Sequence, residues 1–258
     1  MKLSFRRFLT EISVGAGDTL LKYFRKPHRI ERKPNQGIVT EADKAAEAYV
    51  LKKISRAFPD STIITEESGE YPGKGALCWI IDPLDGTTNY AHGSPWFCVS
   101  IGLYEGDRAL AGAVYQPVGG ELFLAEAGKG TTLNGKRVHV SQGSRLGNAL
   151  VATGFYYSSK GALLKRDMAI YARMNDGVLG LRRFGAAALD IANVACGRAD
   201  GFWQRGLSPW DVAAGFLLVE EAGGKITDFK GKRTDVFAKE VLATNGRLHP
   251  AMLKRIRG

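Results

Sequence analysis

Two aspartates that flank a proline are the residues of this sequence best suited to chemistry. The segment Trp-Ile-Ile-Asp-Pro-Leu-Asp-Gly-Thr-Thr-Asn contains Asp82 and Asp85. Pro83 ends the preceding apolar strand because proline cannot donate to a central ladder, and Gly86 permits a tight turn. Such a turn can direct both carboxylates and the Leu84 carbonyl at one point. Hard divalent cations such as Mg²⁺ require oxygen ligands arranged in this way.

This segment also allows other interpretations. The two aspartates can simply cap a turn. Aspartyl-phosphate phosphatases use an Asp-x-Asp-x-Thr loop. The Asp-x-x-Asp spacing of this chain places the second acid on the wrong side of the turn for that chemistry, which argues against this enzyme class. The amides of Gly86, Thr87 and Thr88 would be ready to bind a phosphate if they open a helix.

Three further acidic segments could supply partners for this turn. Glu66 directly follows an apolar strand, where charged residues are rare unless they meet a cation. Asp211 lies in the first turn of a helix predicted to begin at Ser208, and Asp43 stands three residues after Thr40, as in a capping box. Each segment alone also has a structural explanation, as a solvated strand end, a dipole-favoured acid or a cap.

The remaining chemistry-bearing residues argue against other enzyme classes. The three cysteines form no CxxC pair, and their odd number argues against a disulfide framework. The four histidines lie far apart and show no zinc-ligand spacing. No Ser/His/Asp or Cys/His arrangement stands out as a nucleophilic site. A metal bound here is therefore expected to be held by oxygen ligands.

The net charge of +10 has three explanations. A positive field steers anionic phosphate substrates, and it also suits contact with nucleic acid, although no recognition motif supports such contact. The basic residues can equally form an ordinary solvated surface. No apolar stretch approaches the roughly 20 residues of a membrane span. The short basic N-terminus is typical of an amphipathic helix rather than a signal peptide. We therefore expect a cytoplasmic protein without membrane contact.

Periodicity and turn signals predict alternating helices and strands without long linkers. Helices are predicted over residues 5–23, 40–57, 163–174, 185–195, 211–222 and 250–256. Strands are predicted over residues 62–65, 77–81, 97–104, 109–115, 121–125, 131–133, 136–140, 149–153, 201–203, 224–227 and 241–244. The polar segment between the first two helices is predicted as a loop or ragged strand. Asn134-Gly135 predicts a hairpin turn.

Four segments in this order resemble the inositol monophosphatase family: Val-Thr-x-x-Asp, Glu-Glu-Ser-Gly, the Asp-Pro-Leu-Asp-Gly-Thr-Thr segment and Trp-Asp-Val-Ala-Ala-Gly. The resemblance extends from the first helix to Glu-Ala-Gly-Gly at residues 221–224. It implies an α+β fold, a layered αβαβα sandwich with a largely antiparallel first sheet and a mixed second sheet. We expect one domain with two packed lobes, residues 1–145 and 146–258. The resemblance also implies a homodimer and inhibition by lithium.

The resemblance implies Mg²⁺-dependent hydrolysis of a phosphate monoester by an activated water, with two or three ions. The first ion would be bound by Glu66, Asp82 and the Leu84 carbonyl. The second would be bound by Asp82, Asp85 and Asp211, and a third by Glu66 and waters. The implied catalytic residues are Asp43, Thr87 and Glu66, of which Asp43 and Thr87 orient the attacking water.

The implied substrate-binding residues are Asp85, Gly86, Thr87, Gly185, Ala186, Ala187, Gln204 and Asp211. The family usually has Glu where this chain has Gln204, and a neutral amide changes the hydrogen bonds available to sugar hydroxyls. The expected substrate is myo-inositol-1-phosphate or a related polyol or sugar phosphate. Fructose-1,6-bisphosphate, histidinol phosphate and 3′-phosphoadenosine 5′-phosphate remain alternatives within the family. A nucleic-acid- or protein-binding scaffold is the alternative from another class.

Overall fold

The computed structural model describes residues 4–26, 29–33, 37–155 and 160–258. The predicted helices agree closely with those of the structure, while part of the predicted loop before the second helix lies outside the described residues. The helices within the described residues are α1 Phe5–Tyr23, α2 Glu41–Ala57, α3 Thr87–Ala91, α4 Gly161–Asn175, α5 Ala187–Ala195, α6 Pro209–Glu221 and α7 His249–Arg257. No helix of the described part is long and apolar enough to cross a membrane.

Two large sheets and a separate hairpin are formed by the strands. The strands are β1 Ile30–Lys33, β2 Gly37–Thr40, β3 Thr62–Thr65, β4 Gly69–Tyr71, β5 Leu77–Asp85, β6 Cys98–Glu105, β7 Arg108–Gln116, β8 Glu121–Glu126, β9 Gly130–Leu133, β10 Lys136–Val138, β11 Leu150–Thr153, β12 Gly180–Arg182, β13 Gly201–Arg205, β14 Lys225–Thr227 and β15 Glu240–Thr244. The first sheet has the order β10-β9-β8-β7-β6-β5-β3-β4, and only β3 and β5 pair in parallel. The second has the order β12-β11-β13-β15-β14, with parallel and antiparallel pairs.

Five layers result from the way the helices cover these sheets. α1 and α2 pack on one face of the first sheet, where residues such as Ile12, Val50 and Trp79 form one buried core. α5 and α6 contact both sheets and form the middle layer around a second core. α4 and α7 pack together against the second sheet over a third core. The predicted αβαβα sandwich is confirmed.

The middle layer approaches the first sheet closely because glycines face it. A Cβ at Gly102 would lie 2.8 Å from the Cβ of Ala213, and one at Gly112 would lie 3.0 Å from the Cα of Ala214. Close packing of α6 on β6 and β7 therefore depends on the missing side chains. This packing carries the start of α6, which contains Asp211, to the end of β5.

The prediction that β5 ends at Asp82 is wrong. β5 continues to Asp85, and its pairing with β6 shifts register between these two residues. β3 pairs only with residues up to Ile81, so Pro83 lies beyond the end of that ladder. The proline therefore leaves one side of the strand unpaired rather than ending the strand.

The sequence pattern also missed several short elements. β1 and β2 form an antiparallel hairpin where a loop or ragged strand was predicted. β4 and β12 are three-residue edge strands. The Asn134-Gly135 turn is confirmed between β9 and β10, with both residues at positive φ.

Candidate active site

A cavity of about 240 Å³ opens beside the last residues of β5. Five predicted metal ligands line it: Glu66, Asp82, Leu84, Asp85 and Asp211. The predicted substrate contacts that line it are Gly86, Thr87, Gly185 and Gln204. The β1–β2 hairpin contributes Gly37 and Ile38 to the rim. One cavity thus collects residues from both halves of the chain.

Three aspartates form the centre of the cavity. Ligand oxygens of Asp82, Asp85 and Asp211 all lie within 4.8 Å of one another. Asp82 Oδ1 accepts a hydrogen bond from the Leu84 amide at 2.9 Å. Asp211 Oδ2 accepts one from the Ser208 amide at 2.7 Å, in the capping box that begins α6. Local backbone bonds therefore orient these two acids, and one oxygen of each remains for another ligand.

Asp85 is held by the beginning of α5. Its Oδ2 accepts a hydrogen bond from the Ala188 amide at 2.7 Å, and the Cys98 thiol lies 3.8 Å from the same oxygen. Ala186 is the N-cap of α5, and Ala187 is its first residue. These two predicted substrate contacts lie next to the amide that holds Asp85, and neither lines the cavity.

Glu66 reaches the aspartates from the neighbouring strand. β3 and β5 run in parallel with Thr65 opposite Ile81, and the Glu66 amide donates to the Ile81 carbonyl at 3.3 Å. This register places Glu66 beside Asp82. Glu66 is half-buried and lines the same cavity, but it lies outside the group of three aspartates whose oxygens are within 4.8 Å of one another.

The cluster has an electrostatic strain that a cation would relieve. Burial is the main cause that raises the pKa of Asp82 well above its usual value, followed by the charges of Glu66, Asp85 and Asp211. Burial raises the pKa of Asp85 to about 7 and that of Asp211 well above its ordinary range. The bond from the Ser208 amide and the positive charge of Lys239 partly offset this rise in the pKa of Asp211. Carboxylate oxygens so arranged fit a hard divalent cation.

The predicted water-orienting pair lies at the edge of this cluster. The Thr87 hydroxyl is 3.2 Å from Asp43 Oδ1 and 3.0 Å from the Leu84 carbonyl oxygen. Asp43 is fully buried, and its Oδ2 accepts bonds from the amide and hydroxyl of Thr40 at 2.8 and 2.5 Å. Burial raises the pKa of Asp43 to about 6. Asp43 is therefore both a helix cap and a partner of Thr87.

Gly86 permits the turn that carries Thr87. It has φ +90°, and an added Cβ would lie 2.9 Å from the Trp96 carbonyl oxygen and 3.1 Å from the Ala186 Cβ. The next residue, Thr87, begins α3. The amides of Gly86, Thr87 and Thr88 therefore do open a helix, which is the arrangement expected if they bind a phosphate. A side chain at residue 86 would therefore distort the turn between the acids and α3.

The opposite wall of the cavity is formed by residues of the second half. Gln204 packs against Gly154, where an added Cβ would lie 2.0 Å from Gln204 Oε1. Phe155 and Trp210 add aromatic surface to the cavity. The Arg183 guanidinium lies 5.3 Å from the Phe155 ring centre. Beside Asp211, this wall therefore offers the Gln204 amide and two aromatic rings.

Comparison with known proteins identifies the family. The sequence model of the inositol monophosphatase family matches residues 2–258. The chain belongs to this family. It is 43% identical over 242 residues to the inositol-1-monophosphatase of Synechocystis sp. (93% of this chain, 84% of the relative) and 42% identical over 245 residues to the Nus factor SuhB of Escherichia coli strain K12 (94% and 91%). The structure of the inositol monophosphatase from Anabaena superposes with a TM-score of 0.86 at 42% identity, covering 98% and 95% of the two chains.

Family membership makes the chain a phosphomonoester hydrolase.

Several residues around the cavity were not predicted from the sequence. Asn89 donates to the carbonyls of Trp96 and Phe184 at 2.7 and 2.8 Å and so links α3 to the loop before α5. Its place at the end of the segment that contains Asp82 and Asp85 was the available signal. Trp210 begins the Trp-Asp-Val-Ala-Ala-Gly segment and had a similar signal, whereas Phe155 had none, since single aromatic residues are common in cores.

Proposed function

We propose that this family member hydrolyses a small polyol or sugar phosphate with the help of bound Mg²⁺. The observation that carries the proposal is the convergence of Asp82, Asp85 and Asp211, whose ligand oxygens lie within 4.8 Å of one another in one cavity. These acids come from β5 and α6, which are far apart in the chain. Their raised pKa values favour a cation as the missing partner.

The donor set suits Mg²⁺, because all of its ligands would be oxygens. One ion would be held by Glu66, Asp82 and the Leu84 carbonyl, and a second by Asp82, Asp85 and Asp211. Waters and Glu66 would complete a third site. When bound, such ions acidify water and stabilise charge on the phosphoryl group and the leaving oxygen.

Asp43 and Thr87 would orient the attacking water. A water bound at Thr87 Oγ1 can donate to that oxygen while the Thr87 hydroxyl donates to Asp43 Oδ1, 3.2 Å away. Asp43, with a pKa of about 6, is largely ionised at neutral pH and can receive the proton. The water oxygen then forms a bond to phosphorus while the bond to the leaving alcohol oxygen breaks on the opposite side, and that oxygen takes a proton from solvent.

The size of the cavity supports a small substrate. Its volume of about 240 Å³ lies below the roughly 300–1,000 Å³ of sites for drug-sized ligands. Gly86 and Thr87 would bind the phosphate through their amides, and Gly185 and Gln204 would meet hydroxyls, with Ala186 and Ala187 supporting them. The proposed substrate is myo-inositol-1-phosphate or a related polyol or sugar phosphate, and the neutral amide of Gln204 offers the substrate's hydroxyls one acceptor oxygen without a charge. Fructose-1,6-bisphosphate, histidinol phosphate and 3′-phosphoadenosine 5′-phosphate are the alternatives.

A phosphate-release screen tests this proposal. Purified protein is assayed with inositol-1-phosphate and the three alternatives, each with Mg²⁺, with EDTA and with Mg²⁺ plus Li⁺. We expect release with Mg²⁺, none with EDTA and inhibition by Li⁺. Activity that persists in EDTA would contradict the proposal, as would absence of release from the whole panel.

A second function is favoured by one similarity. The Escherichia coli relative at 42% identity is named a Nus factor, and the chain carries a net charge of +10. We propose that the basic surface also binds nucleic acid or protein as a scaffold. Salt-sensitive RNA binding that persists in Asp82→Asn would support this role. Binding that is absent at low salt would contradict it.

The remaining proposals come from the family resemblance. We propose a cytoplasmic homodimer whose chain consists of one domain with lobes at about residues 1–145 and 146–258. Light scattering tests the dimer, and fractionation of cells tests the location. α6 packs on strands of the first sheet, so we expect the two lobes to unfold in a single transition.

A further inference from the structure

Helix α2 carries a second buried acid that the mechanism above does not use. Glu47 follows Asp43 by four residues, so both side chains lie on the same face of the helix. Glu47 is 3% exposed, and the rest of this face is apolar, with Ala46 and Val50 in the core. Glutamate is rarely buried to this extent without partners. The position therefore needs a reason beyond packing.

The partners of Glu47 all come from one short segment. Its Oε2 accepts hydrogen bonds from the Thr65 hydroxyl at 2.6 Å and from the Glu67 amide at 3.1 Å. The Ser68 hydroxyl donates to Oε1. These donors stand on both sides of Glu66 in the chain. Within the described residues, the carboxylate is thus satisfied by neutral donors at the end of β3 and in the turn between β3 and β4.

The turn of residues 66–68, which these bonds hold, is subject to electrostatic repulsion. It carries Glu66 toward Asp82, Asp85 and Asp211, whose charges repel it when no cation lies between them. A turn of three residues between two short strands has little apolar contact of its own, and Ser68 is exposed. Without Glu47, the turn would keep the bond from the Glu66 amide to the Ile81 carbonyl but would lose the bonds on either side of Glu66. The hydrogen bonds from residues 65, 67 and 68 to Glu47 therefore oppose the displacement of the turn that this repulsion favours.

We propose that Glu47 is a positioning residue that holds the 65–68 turn so that Glu66 is ready to bind the metal. This inference rests on the proposed metal-dependent function and deepens it. Glu47 is not among the residues that line the cavity, so it acts on the site through the segment that carries Glu66. α2 thereby organises two parts of the site, with Asp43 holding Thr87 and Glu47 holding the turn of Glu66.

Three variants separate positioning from packing. Glu47→Ala removes the anchor, Glu47→Gln keeps its volume and one acceptor oxygen, and Val50→Ala truncates a fully buried side chain three residues further along the same helix. Mg²⁺ and Mn²⁺ binding is measured by calorimetry, and hydrogen exchange is measured over residues 65–69. The kcat at saturating Mg²⁺ and the Mg²⁺ concentration for half activity are determined alongside.

We expect Glu47→Ala to weaken metal binding about 10- to 100-fold, as for other groups that orient ligands, and Glu47→Gln to weaken it less. Exchange at the Glu67 amide should accelerate in both, while kcat at saturating Mg²⁺ changes little. Val50→Ala should lose stability and keep the affinity of the wild type. If Glu47→Ala does not fold, Glu47→Gln provides the comparison.

Wild-type metal affinity in both Glu47 variants would overturn the inference and leave the proposed function intact. Faster exchange of the turn without any change in metal affinity would do the same, because it would show a purely structural contact. A wild-type protein that binds neither Mg²⁺ nor Mn²⁺ would overturn the proposed function and this inference together.

Discussion

Asp82→Asn should make the metal-free protein more stable while it removes metal binding. Asp82 is 1% exposed, and its ligand oxygen lies within 4.8 Å of those of Asp85 and Asp211. Two full charges at that distance repel by about 3.5 kcal/mol at an effective dielectric constant of about 20. The asparagine keeps the Oδ1 that accepts the Leu84 amide, and its NH₂ group can donate to the neighbouring acids.

The net gain should be smaller than the pairwise figure, because burial raises the pKa of each of the three acids and so reduces the negative charge that they carry together. We expect a free energy of unfolding about 2 kcal/mol above that of the wild type in EDTA at pH 8, or a Tm about 4–8 °C higher for a chain of this size. Excess Mg²⁺ should reverse the order. At 100 times Kd, a bound ion adds about 2.7 kcal/mol to the wild type and little to the variant.

Thermal and urea unfolding in EDTA and in Mg²⁺ measures both effects, with phosphate release as the activity assay. Asp107→Asn is the matched control, because it removes one negative charge from an exposed turn between β6 and β7. It should change neither stability nor the Mg²⁺ response. The reasoning is refuted if Asp82→Asn is less stable than the wild type in EDTA, or if Mg²⁺ stabilises both equally.

Three other predictions concern the turn, the substrate wall and the distant core. Gly86→Ala should cost about 1–3 kcal/mol and abolish turnover, since the added Cβ meets the Trp96 carbonyl at 2.9 Å; unfolding and rate assays that match the wild type would contradict this. Gln204→Glu should shift preference among sugar and polyol phosphates, and Gly154→Ala should shift it too by displacing the Gln204 amide; an unchanged substrate panel would remove residue 204 from the site. Burial lowers the pKa of His249 to about 4, below its ordinary value of about 6.5. As the pH falls, His249 is protonated in the unfolded chain before it is protonated in the folded chain. The free energy of unfolding should therefore fall by about 3 kcal/mol in total between about pH 6.5 and 4. His249→Gln should flatten the profile, and parallel profiles of the two proteins would disprove the assignment.

Periodicity predicted the long elements because their apolar residues recur at the spacing of the buried face. α1 and α2 were predicted almost to the residue, and the Asn134-Gly135 turn followed from the preference of these residues for positive φ. The short edge strands β4 and β12 were missed. Three residues carry too little pattern, and tertiary pairing alone defines them.

The acids of the site could be predicted because Glu66, Asp85 and Asp211 stand at or near element ends and Asp82 precedes a proline, positions where a charge needs an explanation. Their convergence follows from the parallel pairing of β3 with β5 and from the packing of α6, which the sequence does not display. Glu47 was overlooked for a physical reason. It occupies a helix position at which an exposed glutamate would look the same, and only the fold shows that it is buried against the turn of Glu66.

The convergence of these acids on bound cations is tested most directly by diffraction from crystals grown with Mn²⁺, a spectroscopically distinct substitute for Mg²⁺. We predict an anomalous peak within coordination distance of Asp82, Asp85 and Asp211, and a second beside Glu66 and the Leu84 carbonyl. Peaks that are absent from this cavity at saturating Mn²⁺, or that lie only on other surfaces, would contradict the account.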